Sequence, residues 1–158
     1  MEDHAGADAS ADRRDALVED VLWYRGAAIR QRAICAALLA PVGGPVLASY
    51  TVREVPVSPE LMSLESLHRE AGLAEGPFFG SPSVSEVDLP VGSAVRVHRM
   101  EPTAPESSGG EVIEGVAHYV LPRLYPVVLE ARLLWSSLGL GDELATVADA
   151  LAESIRLV

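Results

Sequence analysis

The feature that most restricts the fold of this chain is residues 33–50, a stretch of 18 residues without a charged side chain. A stretch of this length could span a membrane as a helix. The sequence PVGGP at 41–45 lies inside it, and proline and glycine at such a point break a helix and favour a turn. The stretch therefore predicts an antiparallel hairpin of two apolar strands, 34–40 and 46–57, and no membrane-spanning segment.

The rest of the chain alternates between helical and extended patterns. A Ser-Pro-Glu sequence at 58–60 is a typical helix start, and apolar residues at helical spacing predict a last helix over 142–157. Alternating apolar residues predict four further strands at 84–89, 93–99, 111–121 and 125–135. Because consecutive strands with short links pair antiparallel, we expect an α+β fold: an antiparallel sheet of about six strands flanked by three helices.

The first predicted helix begins at Asp12 or Asp15 and ends near Arg32. Its apolar residues follow the three-and-four spacing that places them on one face. The residues on that face are Leu17, Val18, Val21, Leu22, Tyr24, Ala28 and Ile29. Residues 1–12 are acidic and small and predict a disordered acidic tail, so that 13–158 form a single α+β domain.

The charge balance excludes two classes of partner. The chain of 158 residues carries 23 acidic and 12 basic residues, for a net charge of −11. Nucleic acids and anionic membrane surfaces both attract basic proteins, so we expect neither as a partner. All of the basic residues are arginine, and lysine and asparagine are absent, a composition typical of a high-GC bacterium. Schiff-base and P-loop chemistry, which need lysine, are thereby excluded.

The N-terminus and the single cysteine indicate a cytoplasmic protein. The first residues, MEDHAGADASADRR, lack the basic start and the apolar run of a secretory signal. Cys35 has no second cysteine with which to form an internal disulfide. In its apolar surroundings, we expect it to be a small buried hydrophobic side chain.

Three sequences carry a family resemblance: VDLPVGSAVRVHRMEP, GEVIEGVAHYVLPRL and VVLEARLLWSSLGLGDELATVADALAESIRLV. They resemble small actinobacterial proteins of uncharacterised function, which share a strand pair similar to LPxGxAVRVRR, a Tyr-Val strand and a terminal strand followed by a helix. Over residues 30–158 the chain is similar to the Mog1/PsbP-like sandwich, an antiparallel sheet with flanking helices. This resemblance implies a binding or assembly factor without an active site, and it carries no catalytic residue over to this chain.

Candidate catalytic residues are few. His98 and His118 lie on different predicted strands and could approach each other across the sheet. A polar strand residue that faces solvent is the more common explanation of each histidine. No nucleophile elbow, His-Glu-x-x-His pair or P-loop is present, so we expect no catalytic activity, no cofactor and no metal site.

Six residues are candidates for binding a protein partner. They are Arg53, Arg96, His98, Arg132, Phe78 and Phe79. The strand arginines either pair with glutamates across strands, at ~0.2–1 kcal/mol per pair, or line a groove that receives the carboxylates of a partner. The two phenylalanines lie in a loop flanked by glycine and proline, where they either close an edge of the core or form an exposed anchor.

These observations predict a non-catalytic protein-binding or assembly module with a protein partner, for which a second copy of the chain is one candidate. One alternative is an acidic inhibitor of immunity or antitoxin type, whose negative surfaces mask a basic partner. Another alternative is a small-ligand-binding protein or enzyme that uses His98, His118 and Arg96.

Overall fold

The computed structural model describes residues 4–42, 44–73, 79–102 and 112–157. Within these residues it contains three helices, two short 3-10 turns and one six-stranded sheet. The elements are α1 (His4–Arg30), β1 (Ala33–Leu39), β2 (Ala48–Val55), the first 3-10 turn (Pro59–Leu61), α2 (Leu64–Leu73), β3 (Ser83–Leu89), β4 (Gly92–Pro102), β5 (Val112–Pro122), β6 (Val128–Trp135), the second 3-10 turn (Leu138–Leu140) and α3 (Gly141–Glu153).

The sheet has the strand order β1-β2-β6-β5-β4-β3, and neighbouring strands pair antiparallel. The α+β class, the six strands and the order of elements predicted from the sequence are confirmed. Among the described residues, no helix has both the length and the apolar composition needed to cross a membrane.

The start of α2 differs from the sequence prediction. The Ser-Pro-Glu sequence begins a single 3-10 turn, and Ser58 makes no side-chain capping hydrogen bond there. The α-helix starts later because Ser63 provides the cap: its hydroxyl oxygen accepts a hydrogen bond from the backbone N–H of Ser66 at 3.1 Å.

Different helices cover the two faces of the sheet, because side chains alternate along each strand. α3 covers one face, which we call the α3 face, and Tyr50 and Leu133 belong to the core beneath it. α2 covers the opposite face, which we call the α2 face, where Val95 and Val97 pack with Leu67 of the helix. The strands are thus buried on both sides near the middle of the sheet.

α1 lies over the α2 face at the edge of the sheet that α2 leaves open, and it contacts β1. The structure begins this helix at His4, ahead of the predicted start at Asp12 or Asp15. The early start has a local cause, since residues 5–12 are rich in alanine, which has the highest helix propensity. From His4 onward, residues of the segment predicted as a tail therefore belong to the helix.

The apolar residues predicted to share one face of α1 are mostly not buried. Ala28 is buried and Tyr24 is half-buried, but residues 14–23 are exposed throughout. Cys35 is exposed as well, which corrects the expectation of a buried thiol. Both differences arise at the same edge of the sheet, where β1 is the outermost strand and most of its residues stay exposed.

Candidate functional site: an uncovered helix and sheet edge

The four basic strand residues predicted as a binding surface lie on both faces of the sheet. Arg53 and Arg132 project from the α2 face, next to Glu130. Arg96 and His98 project from the α3 face, where Arg96 reaches α3. A single arginine-lined groove therefore does not bring these four side chains together.

On the α2 face, the arginines pair with carboxylates of their own chain. Arg53 donates to Glu130, which is almost fully buried, and the Tyr119 hydroxyl donates to the other carboxylate oxygen at 3.1 Å. Burial, and then the nearby Glu130 carboxylate, raise the pKa of the Tyr119 hydroxyl. Arg132 Nη2 donates to Glu101 Oε1 at 2.9 Å.

On the α3 face, Arg96 and His118 share one carboxylate. Arg96 donates to both oxygens of Asp149 on α3, at 2.7 and 3.2 Å. His118 Nε2 lies 3.1 Å from Asp149 Oδ1, and its side chain is only 2% exposed. Burial lowers the pKa of His118, which favours the neutral imidazole. This cluster fixes α3 to β4 and β5.

His98 belongs to a separate cluster. Its Nε2 lies 2.7 Å from Glu114 Oε1, and Trp135 Nε1 donates to the other oxygen of that carboxylate at 3.0 Å. His98 and His118 lie on the same face of neighbouring strands, two positions apart in register. They contact different carboxylates, Glu114 and Asp149.

Only one of the two predicted aromatic anchors lies among the described residues. Phe78 lies outside the described residues. Phe79 is 52% exposed, and its backbone N–H donates to the carbonyl oxygen of Met100 at 3.0 Å. Its backbone is thus tied to the end of β4 while its ring remains accessible.

Metal binding finds no support in the described part of the chain. There, no three histidine, cysteine, aspartate or glutamate side chains are grouped so that they could hold a metal ion. The two buried glutamates of the sheet, Glu114 and Glu130, are instead engaged by histidine and tryptophan and by arginine and tyrosine, respectively.

The uncovered apolar residues of α1 form two neighbouring rows along the helix. The inner row consists of Leu17, Val21, Tyr24 and Ala28, of which the last three line the space between α1 and the sheet. The outer row consists of Val18, Leu22 and Ile29, with exposures of 50%, 58% and 66%. Each outer residue follows an inner one, so the outer row lies about 100° further around the helix. No part of the described chain buries the outer row.

β1 is an edge strand without the usual protection against pairing. Its sequence, AICAALL, contains no charged residue and no proline, and most of its residues are exposed. β3, at the other edge, carries Glu86 and Asp88. Charges and prolines on an edge strand prevent it from pairing with another chain. The β1 edge, unlike the β3 edge, is open to such pairing.

A cavity of about 760 Å³ separates α1 from the sheet. Its walls include Val21 and Tyr24 of α1, Leu38 of β1, and Thr51 and Leu134 of the α2 face. This loose packing explains why the inner row stays partly exposed.

The charged side chains at positions 15–30 of α1 form no ion pair in the described part of the chain. Among the described residues, no ion pair involves Asp15, Glu19, Asp20, Arg25 or Arg30. Within residues 15–30 the acids precede the arginines, and Arg14 lies ahead of all five of these residues. α1 therefore differs from the sheet, whose arginines at 53, 96 and 132 are ion-paired.

The sequence pattern did not identify α1 and β1 as a candidate functional surface. One usable signal was present: the apolar positions of the first helix span two rows, more than the roughly 100° stripe that a helix needs to face one core. The uncharged stretch at 33–50 was a second signal, because it supplies an edge strand without charges.

Comparison with known proteins gives no relative: no protein-family model, no curated protein and no solved structure matches this chain. The resemblance to the Mog1/PsbP-like sandwich stays a prediction, and the function has to be inferred from the geometry of α1 and β1.

Proposed function

We propose that this chain is a non-catalytic protein-binding or assembly module and that α1 and β1 form its binding surface. The observation that carries the proposal is the outer row of α1, whose side chains are at least half exposed. Burial of apolar surface drives protein association, at roughly 25 cal/mol per Å². A helix without tertiary packing is also only marginally stable in water. Both effects favour a partner that covers the outer row.

The ion pairs of the sheet support this surface over an arginine-lined groove. Arg53, Arg96 and Arg132 already donate to carboxylates of the same chain. A carboxylate from a partner would have to displace one of these carboxylates from its arginine. Each ion pair formed with the partner would then be offset by an ion pair lost within the chain. The charged residues of α1 carry no such cost, because they have no ion-pair partner among the described residues.

The cavity beneath α1 supports a protein partner better than a small ligand. Its volume of about 760 Å³ lies in the range of small-molecule sites. Such sites also need polar groups that fix the orientation of the ligand, and Arg132 in the cavity wall is already bound to Glu101. The helix that forms one wall is itself uncovered on its outer side.

We further propose that the chain is cytoplasmic, that it has a protein partner, and that it is one of the binding factors with a Mog1/PsbP-like sandwich. The antiparallel sheet with helices on both faces supports this assignment of the fold.

Photo-cross-linking tests the proposed surface. A photoreactive amino acid replaces Leu22 on α1 or Ile34 on β1, and Leu124 in the β5–β6 connection serves as a control that is even more exposed. We expect Leu22 and Ile34 to give one discrete adduct with a protein that mass spectrometry identifies, in a lysate of the source cells or with the purified chain. Equal yields from Leu124, or no adduct from Leu22 and Ile34, would contradict the proposal.

A further inference from the structure

The charge pattern of α1 is complementary to itself when the helix is reversed. Asp15 precedes the outer row and Arg30 follows it, and both are exposed. We infer that the partner of α1 and β1 is a second copy of this chain, bound antiparallel about a two-fold axis; this inference rests on the proposed function. An isologous contact of this kind requires a surface that complements itself.

The register of the antiparallel helices follows from these charges. If the contact is centred next to Leu22, Asp15 of one copy lies opposite Arg30 of the other. The same arrangement sets the outer rows against each other, so that Val18 and Ile29 flank the centre. A parallel arrangement would instead place acid beside acid and arginine beside arginine, which is unfavourable.

The β1 edge fits the same symmetry. Two β1 strands can pair antiparallel about a two-fold axis perpendicular to the sheet, because neither carries a charge or a proline that would prevent it. Such an axis keeps the α2 faces of both copies on the same side of the joined sheet. It therefore brings the two α1 helices to one side, antiparallel to each other, as the charge pattern requires.

The size of this surface is sufficient for a stable dimer. α1 has 27 residues and is therefore about 40 Å long and roughly 10 Å wide with its side chains. The helix and the neighbouring strand edge together offer several hundred Å² per partner, which is at the lower end of the areas that specific interfaces bury.

A basic partner protein, as expected for an acidic inhibitor, fits this surface less well. Such a partner would be attracted to Glu19 and Asp20 but repelled by Arg25 and Arg30, which lie on the same helix. A second copy satisfies both signs of charge at once.

Sedimentation equilibrium of the purified full chain tests the inference. We expect the wild type to form a dimer of two 16.7 kDa chains at roughly 100 µM. L22E places a carboxylate at the centre of the contact in both copies and should raise the dissociation constant at least a hundredfold. Leu22 is 58% exposed, so the fold of the single chain should persist, which circular dichroism verifies. L124E is the matched control and should leave the dimer unchanged.

A charge exchange then tests the antiparallel arrangement. D15R alone, or R30D alone, sets like charges opposite each other twice in the dimer and should raise the dissociation constant about tenfold. The double variant D15R/R30D restores opposite charges across the two-fold axis and should return the constant to near the wild-type value. No partner other than a second copy carrying the same changes would be restored in this way.

Each failure has a distinct meaning. A wild-type monomer at roughly 100 µM, a dimer that L22E leaves intact, or a double variant as weak as the single ones would overturn the inference. In the first case, a cross-link from Leu22 to a different protein would still support the proposed function. The absence of any such cross-link would remove both proposals.

Discussion

The ion pair formed by Arg53 and Glu130 tests whether Arg53, a predicted partner-binding residue, instead stabilises the fold. Glu130 is 3% exposed, and among the described residues its carboxylate accepts from Arg53 and from the Tyr119 hydroxyl. Arg53→Met removes the positive charge but keeps a flexible apolar stem that can cover the same surface. The buried carboxylate then retains only the tyrosine as its donor.

The expected cost follows from the burial of the two partners. Removing one member of a buried ion pair costs about 3–5 kcal/mol, because the other charge stays buried without compensation. The Arg53 side chain is 33% exposed, so water can reach part of the vacated space and reduce the penalty. We therefore expect R53M to lower the free energy of unfolding by about 2–3 kcal/mol.

Urea unfolding followed by far-UV circular dichroism measures this loss, with all variants at one protein concentration because association adds to stability. R53M/E130L removes both charges and should restore most of the stability. Arg123→Ala, in an exposed connection, is the control and should change the free energy by less than about 0.5 kcal/mol. If R53M behaves like R123A, the guanidinium does not stabilise the fold and Arg53 returns as a partner-binding candidate.

Three further predictions test the interior of the fold. Burial lowers the pKa of His118 from its usual value of 6.5. The contribution of His118 to stability is therefore complete above the unfolded-state pKa and is lost as the pH falls toward the folded-state value. H118Q should lose less urea resistance than the wild type between about pH 7 and 5, and equal losses in the two proteins would contradict this. Burial raises the pKa of Tyr50 to about 12, and its buried hydroxyl has no hydrogen-bond partner among the described residues. Y50F should therefore stabilise the chain by about 1 kcal/mol in urea unfolding, whereas a loss of stability would reveal a partner for the hydroxyl. A Cβ on Gly92 would lie 2.0 Å from the Leu121 carbonyl oxygen, whereas one on Gly72 would meet nothing within 4 Å. We therefore expect G92A to lower the midpoint of thermal unfolding and G72A to raise it or leave it unchanged. The opposite order would contradict the packing of β4 on β5.

The strands could be predicted from the sequence because their signals are local. Alternating apolar residues and the turn residues between them indicated β4 and β5 within a few positions of their observed bounds. The contact between Arg53 and Glu130 is also a cross-strand pair of the predicted type.

Other partners could not be predicted, because they depend on tertiary packing. Arg96 binds Asp149, which comes from a helix 53 residues further along the chain. Likewise, the apolar periodicity of α1 shows that a face is suited to burial, but the pattern is the same for a protein core and for an interface. Only the exposure of Leu22 and Ile29 in the folded chain distinguishes the two.

Hydrogen–deuterium exchange of α1 tests the central claim most directly. Because residues 14–23 are exposed in the single chain, we expect α1 amides to be protected only when a partner covers the helix. Protection of residues 14–30 in the wild type should rise with protein concentration and be lost in L22E, while β4, β5 and β6 stay protected in both. Strong protection of α1 that is independent of concentration and unchanged in L22E would contradict the claim that α1 and β1 form a binding surface.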